Sequence, residues 1–260
     1  MDRSYTELIA RLKQVETSSR NVRMRELGDF RIAEREYTLY RIDLKGGEPG
    51  PVRVCISAGM HGDEPAGIEA AARFLEKSAN NESLLTIFSF VIFPCDNPSG
   101  YELDTRYNAL GVDLNREFNT RRPADEVAIL QNAVEGEQFD HVYELHEDVD
   151  SYGLYLYELA VDSSLRVGPE IIRAVSAAGY PINLDECIEG REARCGVIAP
   201  GISRFRKTRL PKALYMARLG ARHVMTLETP GRALPVEDRV TIQLMALAIA
   251  LERARGRYEA

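Results

Sequence analysis

The feature of this sequence that most restricts its fold is an alternation of short apolar runs with longer stretches of helical periodicity. Residues 52–59 form a mostly apolar, partly β-branched run typical of a buried strand, and residues 65–77 then place apolar side chains on one face of a helix. Further strand-like runs are predicted at 85–93, 142–145, 153–159 and 224–227, and helices at 5–15, 124–138, 165–178 and 237–254. Strands that alternate with helices predict a three-layer α/β/α sandwich around a mixed, largely parallel sheet.

The domain organisation predicted for the chain is a single domain over residues 1–260. No internal repeat, low-complexity tract or linker divides the sequence. An N-terminal helix and a hairpin, within about residues 1–50, are expected to belong to this domain. The hairpin is predicted to join the strand-like stretch at 30–44 to the run at 52–59 through the Gly- and Pro-containing turn at 46–50.

Composition narrows the partners and the compartment that the sequence suggests. Hydrophobic residues make up 45% of the chain and charged residues 28%, as in soluble globular proteins, and the net charge is −7. An acidic balance argues against general binding to nucleic acid or to an anionic membrane surface. The N-terminus has no signal-peptide pattern, and no apolar stretch is long enough to span a bilayer. We therefore expect a cytoplasmic protein with neither a nucleic-acid nor a membrane partner.

The four cysteines fit a reduced compartment. Cys55 and Cys95 lie in or beside apolar runs and are expected in the core. Cys187 and Cys195 lie in a polar segment, where they could pair. Because the chain is not rich in cysteine, an intracellular environment is favoured over an oxidising one.

Metal-binding chemistry is first suggested by His61 and Glu64, directly after the run at 52–59. In α/β folds, sites are built in the loops at the carboxyl ends of strands. A turn can aim two side chains three residues apart at one point, and an imidazole nitrogen and a carboxylate oxygen are standard zinc ligands. Taken alone, the pair also fits a plainer interpretation, in which the acidic residue complements the N-terminus of the helix that begins at Pro65.

A third ligand is suggested by His146, which ends an apolar strand in a polar His-Glu-Asp cluster. The end of that strand is expected at the same edge of the sheet as His61. The chain has four histidines. His141 and His223 begin their predicted strands and are expected at the opposite edge, in structural roles.

Two further groups could complete a hydrolytic site. Glu228 follows the apolar run at 224–227, a location that suits a general base beside a metal-bound water. Residues 106–118 contain two arginines and two asparagines with little helical or strand periodicity. The planar fork of arginine matches a carboxylate through two hydrogen bonds. Each group, taken alone, also fits an ordinary loop carboxylate or surface arginine.

Together these segments resemble the zinc carboxypeptidase family of the carboxypeptidase A type. The order in that family is His-x-x-Glu, Asn-Pro-x-Gly, Arg, Asp-x-Asn-Arg, His and Glu. The matching residues here are His61 and Glu64, Asn97-Pro98-Ser99-Gly100, Arg106, Asp113-Leu114-Asn115-Arg116, His146 and Glu228. Each motif is short, but the ordered set is specific and extends from about residue 52 to 230.

The resemblance implies one zinc ion per chain and assigns a role to each matching residue. The metal ligands would be His61, Glu64 and His146, the catalytic residues would be Glu228 as general base and Arg106 as oxyanion stabiliser, and the substrate carboxylate would bind Asn115 and Arg116. The implied function is that of a metallocarboxypeptidase, which removes the C-terminal residue from a small peptide by metal-activated water. The substrate-binding tyrosine of the digestive enzymes has no identifiable match, and the Arg-rich segment 187–215 could be the equivalent loop.

Two other functions remain open. The same motifs resemble the aspartoacylase and succinylglutamate desuccinylase branch, whose members cleave N-acyl amino acids with the same metal and arginines. Those enzymes carry a β-rich domain after the catalytic Glu, whereas only residues 229–260 follow Glu228 here. We therefore favour the peptidase and keep the deacylase as the alternative. A catalytically silent binding protein on the same scaffold would be expected to lack Glu228 or a metal ligand.

Overall fold

A mixed β-sheet forms the centre of the molecule in a computed structural model that describes residues 3–32, 34–199 and 208–259. The strands in these residues are β1 (Val22–Ile32), β2 (Arg35–Leu44), β3 (Val52–Ala58), β4 (Phe88–Phe93), β5 (His141–Asp148), β6 (Tyr155–Ala160), β7 (Cys187–Ile188), β8 (Arg191–Glu192), β9 (Val197–Ile198) and β10 (His223–Pro230). The sheet has the order β1-β2-β4-β3-β5-β10-β6-β9, and β7 and β8 form a small separate pair.

Helices cover both faces of this sheet. Those in the described residues are α1 (Tyr5–Ser18), α2 (Pro65–Ser78), α3 (Glu82–Leu85), α4 (Pro98–Leu103), α5 (Asp125–Val134), α6 (Gly168–Ala177), α7 (Lys212–Arg218) and α8 (Val236–Tyr258). Helices α2, α6 and α8 pack together on one face, and α5 and α7 lie on the other. The predicted α/β/α sandwich is confirmed. In the part of the chain that the structure describes, no helix combines the length and the apolar character needed to cross a membrane.

The parallel centre of the sheet decides where a site can form. Strand β3 pairs in parallel with β4 and β5, and β5 also pairs in parallel with β10. Most residues of β3, and nearly all of β5, are buried, as expected for strands covered by helices on both faces. Since parallel strands end at the same edge, the segments that follow these four strands meet there.

Helix α2 fixes the loop after β3 to the end of β5. Pro65 occupies the first turn of α2, where its missing N–H leaves no helical hydrogen bond unmade. The helix then places Gly67 directly against β5, because a Cβ atom at that position would lie 2.6 Å from the carbonyl oxygen of Leu145. A glycine is therefore needed for this close approach. The loop before α2 and the end of β5 are held together as a result.

The structure corrects the predicted N-terminal hairpin. A hairpin is present within about residues 1–50, but it joins β1 to β2. Strand β2 pairs next with β4, so the predicted partner β3 lies one strand further away. The physical reason is burial: β3 is apolar on both faces and occupies the covered centre, and the turn-like segment at 46–50 is a longer connection.

The strand predicted at 85–93 is shorter in the structure. It begins at Phe88, because the preceding residues form the single helical turn α3. The side chain of Asn81 accepts a hydrogen bond from the backbone N–H of Leu84 and so caps that turn. An apolar run does not distinguish a strand from a helical turn when a capping residue precedes it.

The cysteines divide into a buried and an exposed pair. Cys55 and Cys95 are buried, as predicted. Cys187 and Cys195 are exposed and carry free thiols, so the pairing that their spacing allowed is not formed in the structure. Burial raises the pKa of both core thiols, and these two side chains therefore act as small apolar groups.

His141 and His223 lie at the amino ends of β5 and β10. This edge of the sheet is opposite to the edge where the carboxyl ends of the same strands carry His146 and Glu228. The two residues are direct neighbours in the parallel register, and their Nδ1 atoms lie 3.1 Å apart. The Nε2 atom of His223 lies 2.9 Å from the Glu158 carboxylate. Burial, together with the neighbouring His223 and two arginines, lowers the pKa of His141 to about 3. This cluster is sealed inside the fold.

Because the folded protein favours neutral His141, acid should destabilise it. The unfolded chain binds a proton at this position below about pH 6.5, whereas the folded chain does so only near pH 3, so stability falls as the pH decreases through that window. His141→Gln should flatten this part of the profile. The measurement is the difference in melting temperature between about pH 7.5 and about pH 5, with chelator present throughout. An identical difference in the parent and the variant would contradict the assignment.

Candidate metal centre

The loop after β3 carries His61 and Glu64 and packs against helix α4, which follows β4. Gly62 makes this contact possible, because a Cβ atom there would lie 1.9 Å from the carbonyl carbon of Gly100. Asn97 caps α4 by accepting a hydrogen bond from the N–H of Gly100 at 2.9 Å. The His-x-x-Glu and Asn-Pro-x-Gly motifs therefore pack directly against each other, each after one of two neighbouring strands.

His61, Glu64 and His146 come together at the carboxyl edge of β3 and β5. The Nδ1 atom of His61 lies 2.5 Å from one Glu64 oxygen, and the Nδ1 atom of His146 lies 2.8 Å from the other. One potential ligand atom from each of the three residues lies within 4.8 Å of the others. All three side chains are buried. The predicted ligand set therefore converges on a single point.

The chemistry of these groups fits a divalent metal ion. Burial opposes ionisation of Glu64, but His61 and His146 outweigh it and hold the pKa of this carboxyl well below its usual value. Burial opposes protonation of the two imidazoles, and Glu64 raises the pKa of both. An ionised carboxylate between two imidazole nitrogens is a donor set that zinc accepts, with one coordination position left open.

Asp113 supports the His61 ring from its other side. The Asp113 carboxylate lies 3.5 Å from His61 Nε2, and it also accepts a hydrogen bond from Arg106 Nη2 at 3.2 Å. Its position is set by the short 3₁₀ turn Leu114–Arg116, which it caps through the N–H of Asn115 at 3.0 Å. A carboxylate behind a metal-binding histidine orients the ring and increases its basicity. Sequence reasoning gave Asp113 no role, although the Asp-x-Asn-Arg motif contains it.

The end of β5 is anchored from the opposite face. Gln243 of α8 donates a hydrogen bond to the backbone carbonyl of His146 at 3.1 Å. The neighbouring Glu147 accepts hydrogen bonds from the N–H of Ala66 and from Arg239. Helices α2 and α8 thus hold the end of β5 through the carbonyl of His146 and the side chain of Glu147, which limits the movement of the third predicted ligand.

Glu228 lies beside this centre on the adjacent strand. In the parallel register of β10 and β5, it is the direct partner of His146. Its side chain lines the pocket in front of the ligands. Burial, with Glu64 and Asp148, raises the pKa of Glu228 to about 8, against the opposing effect of His146 and Arg106. A bound cation would act in the same direction as His146 and favour the ionised form.

The predicted arginines and asparagine surround the same pocket. Arg106 Nη1 lies 3.3 Å from His61 Nδ1 and 3.9 Å from a Glu64 oxygen, so its guanidinium reaches the centre itself. Asn115 and Arg116 line the pocket from the 3₁₀ turn. The structure thus brings all seven residues predicted from the sequence to one cavity.

The cavity has a volume of about 420 Å³ and a mixed lining. Its apolar part comes from α7, the residue before α7 and the strands β10 and β6, through Pro211, Ala213, Leu214, Val224 and Leu159. Tyr155 and Tyr157 also line it, and the hydroxyl of Tyr155 donates a hydrogen bond to Asp148 at 2.9 Å. These tyrosines had no role in the sequence analysis, where they were only part of a predicted strand.

The Arg-rich segment contributes less to the pocket than its composition suggests. Arg191, on β8, lines the cavity. Arg194 and Arg209 instead form ion pairs with surface carboxylates. Arg204 and Arg206 lie outside the described residues. No match to the substrate-binding tyrosine is identified in the described part of this segment.

Comparison with known proteins identifies the family of this chain. The family model of the succinylglutamate desuccinylase/aspartoacylase catalytic domain matches residues 51–256. Carboxypeptidase E of Caenorhabditis elegans is 33% identical over 120 residues, which are 38% of this chain and 25% of that protein. The chain thus spans about a quarter of the length of this curated relative.

Solved structures show the same fold over nearly the whole chain. A candidate metallopeptidase from Shewanella amazonensis superposes with a TM-score of 0.77 at 24% identity, covering 95% of this chain and 91% of the other. A metallo-carboxypeptidase from Burkholderia cenocepacia gives a TM-score of 0.71 at 21% identity, covering 97% and 69%. The chain belongs to the succinylglutamate desuccinylase/aspartoacylase catalytic domain family and has the metallocarboxypeptidase-like fold.

Proposed function

We propose that this protein is a zinc-dependent metallocarboxypeptidase, which cleaves the amide bond next to the free carboxylate of a peptide. The observation that carries the proposal is the convergence of His61, Glu64 and His146 on one point, with Glu228 beside them and arginines in the same cavity. Two imidazoles and one carboxylate match the protein ligands of catalytic zinc sites. When bound, the metal supplies Lewis acidity toward a water molecule and the scissile carbonyl.

Glu228 is the proposed general base. Of the two carboxylates in the predicted site, Glu64 is hydrogen-bonded to both histidines, whereas Glu228 has no arginine or histidine as a hydrogen-bond partner in the described residues. Its ionised side chain would take the proton of the attacking water and deliver it to the leaving nitrogen. Its place in register with His146 and its presence in the cavity lining support this role.

The polar side chains around the cavity would bind two different groups of the substrate, the attacked carbonyl and the terminal carboxylate. Arg106, at the metal ligands, would stabilise the oxyanion that develops on the attacked carbonyl. Asn115 and Arg116, which we call the carboxylate clamp, would bind the terminal carboxylate of the substrate. Fixing that end orients the scissile bond, and correct orientation is a large part of what an enzyme contributes to rate. The apolar wall of the cavity would accept the side chain of the released residue.

The charge of the cavity favours a peptide over a succinylated amino acid. Besides Glu64 and Glu228, the lining carboxylates are Asp63, Glu147, Asp148, Asp150 and Glu189. Glu147 and Asp150 form ion pairs with Arg239 and Arg232 outside the lining, and of the three lining arginines Arg106 is paired with Asp113. A second negative charge on the acyl group, as in an N-succinyl amino acid, would be repelled by this surplus. The deacylase remains the second candidate, because the family match itself includes enzymes named for that activity.

A substrate panel tests the proposed function. We expect the zinc-loaded protein to release single C-terminal residues from short peptides, and to act poorly on N-acetyl and N-succinyl amino acids. Glu228→Gln should keep the metal and lower turnover by about two to four orders of magnitude, as loss of a general base does. Activity on acyl amino acids alone would favour the deacylase, and full activity of the variant would contradict the role of Glu228.

A single arginine substitution tests the carboxylate clamp. Arg116→Ala should raise KM for a peptide with a free C-terminus by about tenfold, because a charge-assisted contact to the substrate is lost. Turnover at saturation should change much less. Arg122→Ala is the control, since Arg122 is exposed on the same stretch of chain and does not line the cavity. Equal KM values for both variants would remove Arg116 from the clamp.

A further inference from the structure

A lysine lies completely buried beneath the cavity, and the proposed reaction does not use it. The Lys212 side chain has no exposed surface. Its Nζ atom donates hydrogen bonds to Ser57 Oγ at 2.6 Å and to Asp96 Oδ2 at 2.7 Å, and it lies 4.3 Å from the centre of the Phe93 ring. Lysine is almost never fully buried unless it is paired, because transfer of the charge out of water is costly. Because burial of this charge costs free energy, we expect a function that depends on Lys212.

The ion pair ties one end of α7 to the carboxyl edge of the sheet. Asp96 lies three residues after the end of β4, and its backbone N–H donates a hydrogen bond to the carbonyl of Ala58 at the end of β3. Burial opposes the charge of Lys212, but Asp96 outweighs it and holds the pKa of the ammonium above its usual value. The ammonium of Lys212 is therefore bound at the ends of β3 and β4. The loop with His61 and Glu64 follows β3, and helix α4, which packs against that loop, follows β4.

The backbone of Lys212 holds one member of the carboxylate clamp. Its N–H donates a hydrogen bond of 2.9 Å to the side-chain oxygen of Asn115. A backbone N–H only donates, so the Asn115 atom that it contacts must be the amide oxygen. The amide nitrogen of Asn115, which carries both donor hydrogens, is thereby left for other partners, and Asn115 lines the cavity. Lys212 thus decides which way this amide points.

The residues around Lys212 extend the same connection. Leu210 donates a backbone hydrogen bond to Phe118 at 2.9 Å, so the stretch before α7 is joined to the stretch after the 3₁₀ turn. Pro211 and Ala213, on either side of Lys212, line the cavity. The clamp segment is therefore joined to the part of the apolar wall that α7 and Pro211 form, and the buried lysine connects both to the sheet.

We propose that Lys212 is a positioning residue whose pairing with Asp96 and Ser57 holds Asn115 in the orientation that recognises the substrate carboxylate. The inference rests on the proposed function and deepens it, because it makes discrimination between a carboxylate and its neutral amide depend on a residue that touches no substrate. A lysine with a purely structural role would affect both ligands alike.

The test compares a carboxylate with its amide. The probes are 3-phenylpropanoate and 3-phenylpropanamide as competitive inhibitors of the zinc-loaded protein. Lys212→Met keeps the length of the side chain and removes its charge. We expect the inhibition constant of the carboxylate to rise at least tenfold, while that of the amide, the metal content and the turnover number change by less than about threefold. Equal losses for both probes, or no loss for either, would overturn the inference.

A double-mutant cycle shows whether Lys212 acts through Asn115. In an Asn115→Ala background, Lys212→Met should have no further effect on carboxylate affinity, because the group that it positions is already gone. Additive losses would contradict the inference. Asp96→Asn weakens the same ion pair without emptying the site, so it repeats the test if Lys212→Met does not fold. It should lower carboxylate affinity in the same direction.

A matched control separates positioning from stability. Glu158→Gln alters another buried ionic contact, the one with His223 at the far edge of the sheet. It should lower the melting temperature and leave the ratio of the two inhibition constants unchanged. The parent protein tests the proposed function first. If the parent does not prefer the carboxylate, the proposed function fails, whereas a preference that survives in Lys212→Met rejects only the inference about Lys212.

Discussion

The arrangement on which the rest of this structure depends is a buried carboxylate between two imidazoles. Glu64 contacts His61 through one oxygen and His146 through the other, with all three side chains removed from water. Such a group is stable only if protons or a cation balance its charge. The parallel pairing of β3 and β5 brings the two histidines together, and α2 fixes the loop between them. The predicted metal site therefore depends on the order and direction of the strands in the sheet.

The two edges of the sheet show what this constraint does. Strands β5 and β10 each carry a functional group at the carboxyl end, His146 and Glu228, and a histidine at the amino end, His141 and His223. The carboxyl-end pair lines a cavity, whereas the amino-end pair is buried against Glu158. Residues at the two ends of the same strands thus have different surroundings, because the loops at the carboxyl edge leave a cavity there.

Sequence reasoning predicted the residues that line the cavity because several of them stand at the ends of apolar runs. That pattern located His61, His146 and Glu228, and their ordered motifs indicated the family. It failed where tertiary contacts decide. The N-terminal hairpin was placed between the wrong strands, because turn residues mark a break in the chain but not the partner of the strand that follows. Lys212 carries no motif, and only its burial against Asp96 shows that it matters.

The central claim is that His61, Glu64 and His146 bind one ion with Glu228 on its open side. Anomalous diffraction from crystals grown with zinc, measured on either side of the zinc absorption edge, tests it most directly. The account predicts a single peak per chain, at about 2.0–2.2 Å from the two Nδ1 atoms and from a Glu64 oxygen. A peak elsewhere, or none at these residues in crystals that contain zinc at other sites, would contradict it.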